Sequence, residues 1–82
     1  MRLKLIMTSS PYTEADRPRY PDSIHFLEGC TVWVEKKTWE GCREHQAMTV
    51  YSIDSLGIER CDVLCKHRFL LADGIQKGFE EL

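Results

Sequence analysis

The four cysteines and two of the three histidines are candidate soft-metal ligands: Cys30, Cys42, His45, Cys61, Cys65 and His67. Thiolate sulfur and imidazole nitrogen suit zinc, and structural zinc sites take four such ligands. The run "CREH" places Cys42 and His45 three apart, a workable spacing beside a turn. The run "CDVLC" is wider than the two-residue gap of common zinc knuckles. On a strand, Cys61, Cys65 and His67 would share one face. On a helix, Cys61 and Cys65 are neighbours, and His67 points roughly 160° away. The period of the surrounding residues favours the helix, so His67 drops out. A zinc site would then draw on Cys30, Cys42, His45, Cys61 and Cys65. The favoured reading has no metal and treats the cysteines as small buried hydrophobes. No cofactor is expected, with a small zinc-stabilised domain as the alternative.

The same inventory argues against an enzyme. Catalysis needs a base, a nucleophile and charge stabilisation gathered in one concave site. Cys42 with His45 is the local thiol–imidazole pair considered, and no Gly-rich phosphate loop or His-Glu zinc-protease motif occurs.

A second group of residues suits contact with a protein partner. "SSPYTEADRPRYPDS", residues 9–23, holds three prolines and reads as one long loop. It carries Tyr12, Arg17, Arg19 and Tyr20, residue types enriched where interfaces concentrate their binding energy. Ser10 is placed to cap a single helical turn with Pro11 first in it. The competing reading lays the tyrosines on the sheet as ordinary packing.

These residues need elements to position them. Residues 2–8 alternate Arg2 and Lys4 against Leu3, Leu5 and Met7, the pattern of a half-buried strand. Residues 30–38 set Val32 and Val34 against Trp33, and residues 47–53 set Met48 and Val50 against Thr49, Tyr51 and Ile53. Both are rich in β-formers, and the turn-like "EGCREHQ" between them predicts an antiparallel hairpin. Over residues 61–82, Cys61, Leu64, Cys65, Leu71, Ala72, Ile75, Phe79 and Leu82 fall on one face at the helical period. The expectation is an α+β two-layer domain, with three or four antiparallel strands packed on one long C-terminal helix. That helix covers one sheet face and leaves Trp33 and Tyr51 on the other.

One resemblance crosses this plan. "IDSLGIERCDVLCKH" resembles the helix-turn-helix pattern of DNA-binding proteins, with Gly57 in the turn and Val63 at a buried position of the second helix. The resemblance implies a DNA-binding regulator whose base-facing residues are Glu59, Arg60, Cys61, Leu64 and Cys65. That set offers one cation among apolar groups, whereas base edges are read mainly by Arg, Lys, Asn and Gln. The net charge of −2 supplies no phosphate clamp.

At 82 residues the chain is read as a single domain, and its 43% hydrophobic and 29% charged composition is that of a folded protein. The opening "MRLKLIMTSS" is too short and too interrupted for a signal peptide or membrane span, so a cytoplasmic location is expected. The resulting functional expectation is a small non-enzymatic interaction module: an inhibitor, adaptor or regulator, of phage or mobile-element type. Its partner is a protein or a second copy of itself, and the partner-binding residues are Tyr12, Arg17, Arg19, Tyr20, Trp33 and Tyr51.

Overall fold

The computed structural model describes residues 1–72. They form a five-stranded antiparallel sheet of order β4-β3-β2-β1-β5. The strands are β1 (Arg2–Met7), β2 (Thr31–Glu35), β3 (Ala47–Ile53), β4 (Glu59–Cys65) and β5 (Phe69–Leu71). One α-helical segment, α1 (Lys36–Gly41), joins β2 to β3. Short 3-10 helices occupy Glu14–Asp16, Pro21–Phe26 and Lys66–Arg68.

The two-residue alternation read from the sequence sets the faces. Leu3, Leu5 and Met7 of β1, Val32 and Val34 of β2, and Met48 and Val50 of β3 all point to one side and are buried. Leu64 and Phe69 join them from the two edges. Burying each such side chain contributes about 1.5–3 kcal/mol. These residues make a sheet because β-branched and long aliphatic side chains on every second position can share one dry face.

The cover for that face is not the expected helix. The long excursion between β1 and β2 folds over it, with Phe26 fully buried and Tyr12 packed against the cluster. Trp39 of α1 and Cys42 close another part. A six-residue helix has little stability of its own. Here Lys66 anchors its end: the ammonium lies 4.3 Å from the Trp39 ring centroid and donates to the Trp39 and Cys42 carbonyls at 2.6 and 3.0 Å. A cation on those last carbonyls is the favourable partner for a helix C-terminus.

The expected C-terminal helix is therefore corrected over its first half. Residues 59–65 pair with β3 from Ile53↔Glu59 to Ala47↔Cys65, and residues 69–71 pair with β1. Cys61, Leu64 and Cys65 fit a helical spacing, but Arg60, Asp62 and Leu64 equally fit a strand. The seven-pair ladder and the contact of Leu64 with the core decide for the strand. Ile75, Phe79 and Leu82 of the expected stripe lie outside the described residues. The connection between β2 and β3 also differs from the expected plain turn, since residues 36–41 are helical.

The hairpin from β3 to β4 is made by Asp54 and Gly57. One Asp54 carboxylate oxygen accepts from the Leu56 and Ile58 N–H groups at 2.9 and 3.0 Å, and Gly57 takes a φ of 81°. A left-handed residue there favours glycine. The segment resembling a helix-turn-helix is thus two strands and a tight turn.

Candidate functional site

The outer face of the sheet carries Trp33 and Tyr51 at its centre, and the two are register partners across β2 and β3. Lys4 stands opposite Trp33 on β1, and Cys61 opposite Tyr51 on β4. Around them Ile6, Ile53, Val63 and Leu70 are exposed, Val63 by 59% and Leu70 by 62%. Trp33 and Tyr51 themselves are half-buried. Among the described residues, the segments that cover the sheet pack on the inner face. The aliphatic and aromatic groups outside therefore form a surface of their own.

Lys4 apart, the charge on this face gathers at one corner. The Arg2 guanidinium lies 4.0 Å from the Tyr51 ring centroid and pairs with Glu35 at 3.2 Å and with Glu59. Hydrogen bonding to Arg2 holds the Glu59 carboxyl below its ordinary range, and the same contact raises Arg2. Arg2 thus tethers β1 to the far strand β4 across the face of Tyr51, whose π-system also favours a cation.

The six expected partner-binding residues do not form one surface. Trp33 and Tyr51 share the outer face. Tyr12, Arg19 and Tyr20 instead border a hollow of about 320 Å³ at the inner side of β4, with Ser23, Phe26 and Asp62. The Tyr12 and Tyr20 rings are 6.4 Å apart. The Tyr12 hydroxyl donates to Asp62 at 2.6 Å, and that bond, helped by burial, pushes its pKa up to about 12. Arg17 is exposed in the same excursion. Ser10 does not cap the 3-10 turn. Its hydroxyl donates to the Phe26 carbonyl and accepts from the Tyr12 N–H, while Thr13 precedes the turn.

The cysteines lie far apart in role. Cys30 donates towards the Ile24 carbonyl at 3.6 Å, and Cys42 towards the Gln46 carbonyl at 3.3 Å. Cys61 and Cys65 belong to β4, with Cys61 exposed on the outer face, not on a buried helix stripe. All four are free thiols. Among the described residues no three His, Cys, Asp or Glu side chains gather as a ready metal cage. What the structure does bring together is His45 and His67, with ring centroids 5.2 Å apart. Treating residues 61–67 as helical removed His67 from consideration. As a strand followed by a 3-10 turn, the same residues return it to the neighbourhood of His45.

The base-reading set implied by the helix-turn-helix resemblance is divided by the pleat. Glu59, Cys61 and Cys65 face outward, whereas Arg60 and Leu64 face inward. Arg60 is engaged by Asp54 at 2.6 Å and Asp22 at 3.0 Å.

No family model, curated protein or solved structure matches this chain. Among the described residues no helix is long and apolar enough to cross a membrane.

Proposed function

We propose that this chain is a small non-enzymatic interaction module that acts as an inhibitor, adaptor or regulator by docking a protein on the outer face of its sheet. The observation that carries this reading is the pairing of Trp33 with Tyr51 at the centre of a face whose other members, Ile6, Val63 and Leu70, remain exposed. Large apolar side chains gathered on one exposed face mark contact sites. A rigid aromatic pair held by a ladder binds at low entropic cost, which is why Trp and Tyr dominate interface energetics. Tyr12 and Tyr20 are left out of the docking surface, because their contacts serve the cover of the core.

The test is affinity capture with the intact chain, followed by binding measurements on the purified pair. Trp33→Ala and Tyr51→Ala are expected to weaken the captured complex at least tenfold. Tyr20→Ala is expected to leave it unchanged. A complex insensitive to both outer-face substitutions would overturn the reading. Light scattering on the isolated chain separates a hetero-complex from self-association through the same face.

A further inference from the structure

We propose that His45 and His67 form a two-imidazole site for a zinc-class divalent transition ion. The site lies in the loops at one end of the sheet and stands independently of the docking surface proposed above. The two rings come from different connections: His45 from the segment between α1 and β3, His67 from the 3-10 turn between β4 and β5. Their centroids are 5.2 Å apart with planes at 51°. Two imidazoles sharing one ion are set at about this separation by metal–nitrogen bonds of about 2.0–2.1 Å.

The backbone holds the pair in place. The His67 N–H donates to the Glu44 carbonyl at 2.8 Å, and the Lys66 N–H donates to the Gln46 carbonyl at 3.0 Å. The residues on either side of His45 are thus bonded to His67 and its neighbour. The rings need no large backbone rearrangement to share a ligand, which lowers the entropic cost of binding. The Cys42 thiol adds a contact to the same Gln46 carbonyl.

Arg43 shares the hollow beside His45, while the other two neighbouring cations are engaged elsewhere. The nearest ammonium, Lys66, is directed away onto the Trp39 ring and two carbonyls. The Arg68 guanidinium is likewise turned towards Ser9. Glu44 borders the hollows on both sides of the pair, one shared with His45 and one with His67. Both histidines are exposed, so the ion would enter without unfolding and keep water in its remaining positions. Bound metal would staple the β2–β3 connection to the β4–β5 connection, a useful device for a domain with a small core.

Titration calorimetry of the full chain with ZnCl₂ at pH 7.5 tests the site, paired with thermal unfolding. The expected result is one ion per chain and a rise in Tm on adding zinc. His45→Gln and His67→Gln should each weaken binding at least tenfold and abolish the Tm rise. His25→Gln and Cys61→Ser should do neither. Zinc binding that survives both His45 and His67 substitutions, or that disappears only in Cys61→Ser, would overturn the proposal, as would no binding at all. Should circular dichroism show that a variant misfolds, imidazole NMR signals of the unsubstituted chain decide. Selective perturbation of His45 and His67 by ZnCl₂ supports the site, and perturbation of His25 alone refutes it.

Discussion

The hydroxyl of Tyr12 donates to a carboxylate oxygen of Asp62 at 2.6 Å, joining the β1–β2 excursion to the edge strand β4 across 50 residues of chain. The second Asp62 oxygen accepts from the Val63 N–H at 2.7 Å. One carboxylate thus holds the core's cover and satisfies a donor beside the free edge of the sheet. Tyr12→Phe keeps the ring and removes only the first bond. A bond to a charged acceptor at a half-buried site contributes about 1 kcal/mol. Denaturant unfolding should show a loss of that size with an unchanged m-value. An unaltered midpoint would mean that the bond contributes nothing net.

The same bond has an alkaline signature. The Tyr12 pKa is pushed up to about 12, chiefly by the hydrogen bond to Asp62, which ionisation would replace with two facing anions. A folded pKa above the unfolded value of about 10 means that the stabilisation is whole below pH 10. It is lost as pH rises from about 10 through 12. The chain should therefore lose stability in that window, and Tyr12→Phe should lose less. Absorbance at 295 nm, which reports tyrosinate, should show a late-titrating tyrosine that Tyr12→Phe removes.

At the acid end the sensitive group is Asp54. Its carboxyl lies below the ordinary value because Arg60 hydrogen-bonds it, with the Ile58 and Leu56 N–H groups adding to the effect. Glu59 is lowered in the same direction by Arg2. Depressed carboxyls contribute stability that is present above their unfolded pKa of about 4 and lost as pH falls through the folded values. The slope of stability against pH below about 4 should be shallower in Asp54→Asn than in the unsubstituted chain. Equal slopes would show that the hairpin turn does not carry the acid sensitivity.

Sequence patterning was a good guide wherever one period was available. Leu3, Leu5, Met7, Val32, Val34, Met48 and Val50 alternate, and all seven are buried on the face expected of them. The β2–β3 hairpin and the Asp54–Gly57 turn follow from the same local chemistry. Local reading failed at residues 59–65, where Cys61, Leu64 and Cys65 satisfy the helical period and only pairing with β3 overrides it. That pairing is tertiary, and a propensity argument does not contain it. One consequence reached the sites: the helical assumption turned His67 away from Cys65 and out of the candidate ligand set. The excursion before β2 was equally illegible, because Phe26 and Tyr12 reach the core from a segment rich in Pro, Ser and charged residues.

The contribution of Phe26 is testable. Its side chain is 2% exposed and closes the inner face over Val32 and its neighbours. Phe26→Ala should cost about 3–5 kcal/mol, the range for truncating a buried aromatic. In a domain whose whole stability is about 5–10 kcal/mol, a large fraction of chains would then unfold at 37 °C. Leu70→Ser, on the open face, should change stability by about 0.5 kcal/mol or less. Comparable losses in both variants would mean that Leu70 is covered.

Ser23 gives a prediction of opposite sign. It is 4% exposed, its N–H donates to the Tyr20 carbonyl, and its hydroxyl is buried with no hydrogen-bond partner. An unpaired buried hydroxyl carries its desolvation cost without compensation, about 1–3 kcal/mol. Ser23→Ala keeps the backbone bond and removes the orphaned group at almost no change in volume. The variant should be at least as stable as the parent chain, by up to about 1 kcal/mol in denaturant unfolding. A clear loss of stability would show instead that the hydroxyl is paired in solution. Water in the hollow beside Tyr12 would be its partner, since a site must be polar and roomy to hold one. Ser23→Val separates the two cases further: it also lacks the hydroxyl but adds bulk against Phe26, and should be less stable than Ser23→Ala under either account.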